Sequence, residues 1–172
     1  MSRRASEFAR PVPLTRLGAG PFRQHIAADA AEREALARRF DLVSLDRLEA
    51  EIELSRESGG TILLTASFSA AFAQSCIATL DPVAGSLNER FQLRYGPPEA
   101  EATAPAGDDD PAFEPLTGEA IDVGEAVAQE FSLALPPFPR IPGAAAEDAA
   151  APEAAAEGPF AALARLARRE RQ

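Results

Sequence analysis

Tryptophan and lysine are absent from this 172-residue chain, and cysteine, histidine, tyrosine and methionine occur once each. With Cys76 alone no internal disulfide can form, and a Cys/His metal site would have to be assembled from Cys76 and His25. A reducing compartment is expected, with no metal and no other cofactor. The single histidine also bears on catalysis. A nucleophile needs a base within hydrogen-bond reach, and His25 sits in no recognisable nucleophile motif, so no catalytic residue is assigned. No apolar run reaches the length of about 20 residues that a membrane-spanning helix needs. The first 17 residues are charged near the start but lack the uninterrupted apolar segment of a secretion leader. The expectation is a soluble, cytoplasmic protein with no membrane partner.

What the chain does have is enough apolar material, 46% of its residues, to fill one ordinary core, with 15 prolines and long Ala/Glu stretches left over for tails. Every basic residue is arginine, and the formal charge of −10 is unevenly spread. Residues 1–40 carry 8 arginines against 4 acids, 41–100 carry 4 against 9, 101–157 carry 1 against 13, and 158–172 carry 4 against 1. An acidic middle repels nucleic-acid phosphate at long range, so a duplex would have to be met by the basic ends, and a basic protein fits the charge more easily.

The periodicities predict an α+β fold: a curled or partly closed antiparallel sheet packed by two main helices, plus a linker-tethered C-terminal helix. Residues 7–17, with Pro11 and Pro13, suit an edge strand that 22–27 continues. Asp29-Ala-Ala-Glu32 is a capping-box pattern that opens a helix to about Phe40. From 47 to 56, Leu48, Ala50, Ile52 and Leu54 alternate with Glu49, Glu51, Glu53 and Ser55, the two-residue period of a half-buried strand. Gly59-Gly60 is a turn into an extended run over 61–80 that Asp81-Pro82 ends, and 86–95 alternates again with Arg90 and Arg94 on one face. Residues 97–111 lack periodicity and read as a mobile acidic loop. Asp122-Val-Gly-Glu125 opens a second helix over about 122–134, with Val123, Val127 and Phe131 in one stripe. The domain organisation is therefore 1–142 as a single α+β domain, 143–157 as an acidic Ala-rich linker, and 158–172 as a short amphipathic helix.

Few constellations carry chemistry. Gly18-Ala19-Gly20 is too short for a dinucleotide fingerprint, and Asp108-Asp109-Asp110 lacks the spaced ligands and fixed glycine of a calcium loop. Cys76 reads as a small buried hydrophobe. The candidate contact residues are Arg90 and Arg94 on the last strand, facing RNA backbone or an acidic partner, and Phe160, Leu163, Arg165, Leu166, Arg168 and Arg169 in the C-terminal helix. That helix either docks on its own domain or is offered to a partner.

Several stretches taken together resemble the YceD family. They are Glu7-Phe-Ala-Arg-Pro11, Glu32-Arg-Glu-Ala-Leu-Ala-Arg-Arg-Phe40, Gln74-Ser-Cys-Ile-Ala-Thr-Leu-Asp-Pro82, Ile121-Asp-Val-Gly-Glu125, Leu133-Ala-Leu-Pro-Pro-Phe-Pro-Arg140 and Pro159-Phe-Ala-Ala-Leu-Ala-Arg-Leu166. Many members carry a C-x-R-C-L element near Gln74, whereas here Cys76 is followed by Ile77, Ala78 and Thr79, so the second cysteine is missing and no metal ligand is carried over. The resemblance implies a non-enzymatic factor supporting large-subunit ribosomal RNA accumulation and ribosome assembly, with a ribosomal protein, other assembly components or precursor ribosomal RNA as partner. The alternative is an enzyme or regulatory subunit acting on RNA or nucleotides.

Overall fold

Asp29 starts the first helix as the D-x-x-E pattern requires. Its carboxylate accepts the Glu32 backbone N–H at 2.9 Å while the Glu32 side chain accepts the Asp29 N–H at 2.9 Å, a complete capping box. In the computed structural model, which describes residues 6–103 and 110–142, the helix α1 spans Ala30–Arg39. It stops where Asp41 turns into the left-handed region at φ 54°, with the Leu42 N–H donating back to the Ala37 carbonyl.

The strands are β1 (Pro11–Pro13), β2 (Phe22–Ala27), β3 (Ser44–Arg56), β4 (Ile62–Ser75), β5 (Pro82–Gly96), β6 (Ala112–Pro115) and β7 (Ala120–Asp122), followed by helix α2 (Val123–Ala134). Five of them form one sheet in the order β2-β3-β4-β5-β6; β1 and β7 form a separate antiparallel pair. The sheet is antiparallel except at β5–β6, which is parallel. Its hydrogen-bonded order has two ends, β2 and β6, and the closure expected from the sequence is not among the pairings of the described residues.

Four further points depart from the sequence reading. The segment 7–17 forms the three-residue β1, which pairs with β7, and then a 3₁₀ turn over Leu14–Arg16, and β2 is an edge strand of the main sheet and not its continuation. Strand β3 begins at Ser44, three residues early, because a bulge between Leu45 and Arg47 resets the pleat so that Leu45 and Leu48 both point inward. The run over 61–80 ends at Ser75, and Pro82 opens β5 where it was expected to close a strand. Proline is tolerated at a first strand position, and residues 76–81 form the hairpin turn, with the Cys76 N–H donating to the Asp81 carbonyl at 2.8 Å. Finally, β6 and β7 are too short to show any period. Within the acidic stretch 97–111, Pro98–Thr103 forms a 3₁₀ helix, and 104–109 lie outside the described residues.

Ile62, Leu64, Ala66, Phe68, Ala70 and Phe72 of β4 alternate inward and are all buried, as are Leu48, Ala50, Ile52 and Leu54 of β3. Helix α2 lies on this face. Phe131 is fully buried and meets Phe40, Phe68 and Phe72 edge-on at centroid distances of 5.9, 6.3 and 5.6 Å. Leu36 of α1 joins the same core. The chain divides into two units, Met1–Arg140 and Ile141–Gln172; the expected linker and C-terminal helix, 143–172, lie outside the described residues.

A candidate binding face

With both helices on the inner face, the register brings the outward side chains of four strands into rows. Arg23, Glu53, Thr65 and Gln92 form one row, His25, Glu51, Ser67 and Arg90 the next, and Ala27, Glu49, Ser69 and Asn88 the third. The rows are cross-linked. Arg23 Nε donates to Glu53 Oε2 at 2.7 Å, His25 Nδ1 lies 2.8 Å from Glu51 Oε1, Ser69 Oγ donates to Glu49 at 3.1 Å, and Gln92 Nε2 donates to Thr65 Oγ1 at 3.0 Å. Strand β4 offers only Thr65, Ser67 and Ser69 here. Short side chains between the long ones of β3 and β5 leave a hollow of about 420 Å³ bordered by His25, Glu49, Glu51, Asn88 and Arg90.

The order of the middle row limits its chemistry. Glu51 stands between the imidazole and the hydroxyl, and two strand spacings, about 9.5 Å, separate His25 from Ser67. A nucleophile and its base must touch, so this row is no nucleophile–base relay. What the face offers is an array of carboxylates, hydroxyls, amides and two exposed guanidinium groups, Arg23 paired with Glu53 and Arg90 at the rim.

Arg90 stands exposed at the rim of the hollow. Arg94 shares its strand face but not its situation, for Nε donates to Glu57 Oε2 at 2.9 Å, the side chain is 17% exposed, and Nη1 is buried with no hydrogen-bond partner among the described residues. Phe160, Leu163, Arg165, Leu166, Arg168 and Arg169 lie outside the described residues. The face itself, carried by Arg23, His25, Glu49, Glu51 and Glu53, went unassigned in the sequence. Each strand's polar parity was visible there, but only the register lines the parities up.

Asp122 and Glu125, which open the second helix, are engaged in holding the fold. Asp122 Oδ1 accepts the backbone N–H groups of Glu125 and Arg10, at 3.1 and 2.8 Å, as cap of α2 and anchor of the N-terminal segment. Glu125 receives both terminal nitrogens of Arg39, at 2.9 and 2.7 Å, and the Ser6 hydroxyl at 2.6 Å. The Arg39 bonds hold the Glu125 carboxyl down at about 2 against its partial burial, and the same bonds raise Arg39. Arg10 likewise grips Glu32 through two bonds of 2.6 and 2.8 Å, which lowers the Glu32 carboxyl. The motifs at 7–11, 32–40 and 121–125 are thus one clasp fastening the N-terminus to both helices.

Beside the clasp lies a second hollow of about 650 Å³, lined by Tyr95, Glu114, Asp122, Glu125 and Gln129 among others. Burial, and then the Glu114, Asp122 and Glu130 carboxylates, raise the Tyr95 hydroxyl. Among the described residues no three His, Cys, Asp or Glu side chains gather to hold a metal ion, and no helix is long and apolar enough to cross a membrane.

Fold and face together define an α+β protein that presents a broad hydrogen-bonding sheet surface. A family model described as Large ribosomal RNA subunit accumulation protein YceD matches residues 64–167, and the chain belongs to the YceD family. No curated protein and no solved structure matches it.

Proposed function

We propose that this protein supports the accumulation of large-subunit ribosomal RNA as a non-enzymatic, cytoplasmic assembly factor that holds a basic ribosomal protein against the open face of its sheet. The family supplies the process. The observation that carries the mode of action is the row of Glu49, Glu51 and Glu53 beside the hydroxyl-bearing strand, in a chain of formal charge −10. Arginines of a protein that must itself bind RNA would find carboxylates there, in position for charge-assisted, bidentate bonds. Phosphate would meet net repulsion. The face is a grid of roughly 14 by 14 Å, about 200 Å², well under the roughly 800 Å² per partner of a stable interface, so it suits a transient contact or one part of a larger one.

An enzyme or regulatory subunit would have to draw on the second hollow. Its acids Asp122 and Glu125 already accept the bonds that fasten the fold, which favours binding over chemistry.

The test is recovery of tagged protein from growing cells at two salt concentrations, with and without nuclease. The wild type is expected to bring down ribosomal proteins in a nuclease-resistant, salt-sensitive manner, and the Glu51→Arg/Glu53→Arg double variant to lose them. Recovery that nuclease abolishes would transfer the role to precursor RNA. Recovery unchanged by the double variant would remove the face from the function.

A further inference from the structure

A row of unpaired N–H and C=O groups at a sheet edge is a template for another chain, and proteins guard such edges. Strand β5 has one that is long and little guarded. It runs over Pro82–Gly96, yet β6 pairs with it only over Leu93–Gly96. The Cys76 N–H, donating to the Asp81 carbonyl, fixes the phase of the ladder. Val83, Gly85, Leu87, Glu89 and Phe91 bond β4, so Ala84, Ser86, Asn88 and Arg90 turn their N–H and C=O groups outward. No described residue meets those groups. Pro82 is the only proline in the stretch, and the register with β4 runs without a bulge. On the inner side Val83, Leu87 and Phe91 are only half-buried.

Alternating donors and acceptors at this spacing are answered by an extended backbone, and the strand's own sequence, reversed, answers them well. Antiparallel pairing with β5 of a second copy, about a two-fold axis at Leu87, sets Leu87 against Leu87, Phe91 against Val83 and Glu89 against Gly85 on the inner side. On the outer side Arg90 meets Ala84, and Asn88 meets Ser86. No like charges are opposed. Glu89 is an inward charge of the kind that deters indiscriminate pairing, and in this register it faces a residue without a side chain. The ladder stops with Pro82 opposite Gln92, one residue short of β6. An axis at Asn88 would set Glu89 against Leu87 and drive Val83 into the place β6 holds beside Leu93.

We infer that this edge is the interface of a homodimer, in which the two main sheets run on as one with their polar faces on the same side. The inference does not depend on what those faces bind. About eight backbone hydrogen bonds, through Ala84, Ser86, Asn88 and Arg90, and the apolar pairs of Leu87 and Phe91 hold the copies together. A seam of about 30 by 10 Å is roughly 300 Å² per copy against the roughly 800 Å² of a stable interface, so the dimer is weak and reversible. Each copy carries −10, and Asp81 and Asp110 precede β5 and β6 near the ends of the seam. Salt screens this repulsion to about 8 Å at physiological strength, so added salt strengthens the dimer, the reverse of its effect on a basic partner.

The experiment is sedimentation of the full chain from about 5 to 500 µM at two salt concentrations, with dimer expected at the upper end and more of it at higher salt. Asn88→Pro removes an outward N–H and leaves the β4 ladder intact, so it should weaken association about tenfold or more at an unchanged melting temperature. Register is read by oxidation on a Cys76→Ala background. Leu87→Cys should cross-link two copies, whereas Glu89→Cys, about 14 Å from its mate, should not. A wild type that stays monomeric throughout, a folded Asn88→Pro protein that associates equally well, or equal cross-linking by Glu89→Cys would overturn the assignment. So would a monomer whose Ser86 and Asn88 amides resist hydrogen exchange, because a segment of the same chain would then hold the edge.

Discussion

Gly124 lies in the first turn of α2, where alanine would ordinarily be welcome: replacing glycine inside a helix gains up to about 1 kcal/mol. Here the surroundings reverse the sign. A Cβ built on Gly124 would stand 1.9 Å from the Phe8 carbonyl oxygen and 3.1 Å from Arg10 Cγ. Carbon and oxygen need more than 3 Å, so about 1.2 Å of separation must be found, and the obstacle is backbone, not a side chain that can swing away. Neither side yields easily. Phe8 is fully buried, the Arg10 N–H is bonded to Asp122, and the Val123 N–H donates to the Arg10 carbonyl at 3.2 Å. Overpacking against a fixed neighbour costs about 1–3 kcal/mol for a methylene and more where backbone must move, so Gly124→Ala should destabilise by about 2–4 kcal/mol after the helix gain is subtracted. At about 2–4 °C per kcal/mol for a chain of this size, the melting temperature should fall by roughly 5–15 °C. Thermal unfolding followed by circular dichroism reads this directly. Gly118→Ala, with nothing within 4 Å of its Cβ, is the control and should move little. A Gly124→Ala protein as stable as the wild type would refute the close packing of the N-terminal segment on α2.

The clasp gives a pH dependence. Glu125 is held near 2 in the folded chain, below its ordinary 4.5, so its contribution is complete above pH 4.5 and is lost as pH falls from 4.5 towards 2. Full conversion gives about 3 kcal/mol, and screening of this partly exposed pair reduces that to about 1–2. Urea unfolding from pH 6 to 2.5 should show the loss, and Glu125→Gln should flatten it. Asp29→Ala removes one cap and should cost about 1 kcal/mol, whereas Asp122→Ala orphans two backbone donors and should cost about 2–3, a ranking that denaturant midpoints will test. Cys76→Ala, at a fully buried position, should lose about 1 kcal/mol and leave partner recovery intact; loss of recovery without unfolding would contradict a packing role.

How legible the fold was depended on the range of the forces involved. Asp29 and Glu32 act within one turn, and Leu48 to Leu54 within one strand, so both could be read locally. The bulge at Asp46 broke the alternation, which made β3 look three residues shorter than it is. Pro82 was misplaced because Asp-Pro marks a boundary without saying on which side the strand lies. Strand β6 owes its existence to β5, across a long connection, and four residues carry no period. The binding face was legible only in halves. Glu49, Glu51 and Glu53 were evidently one side of a strand, but their meeting with Ser67 and Arg90 is a matter of register, which no single strand encodes. Arg94 looked equivalent to Arg90 until Glu57, 37 residues away in the chain, was found against it.

The central claim is that the open face of the sheet, and not a catalytic centre, links this protein to large-subunit RNA. The most direct measurement is the ratio of large- to small-subunit ribosomal RNA in cells whose sole copy carries Glu51→Arg/Glu53→Arg, with the variant's cellular level and melting temperature matched to wild type. The account predicts a fall to the ratio seen when the gene is deleted; a wild-type ratio in those cells would contradict it.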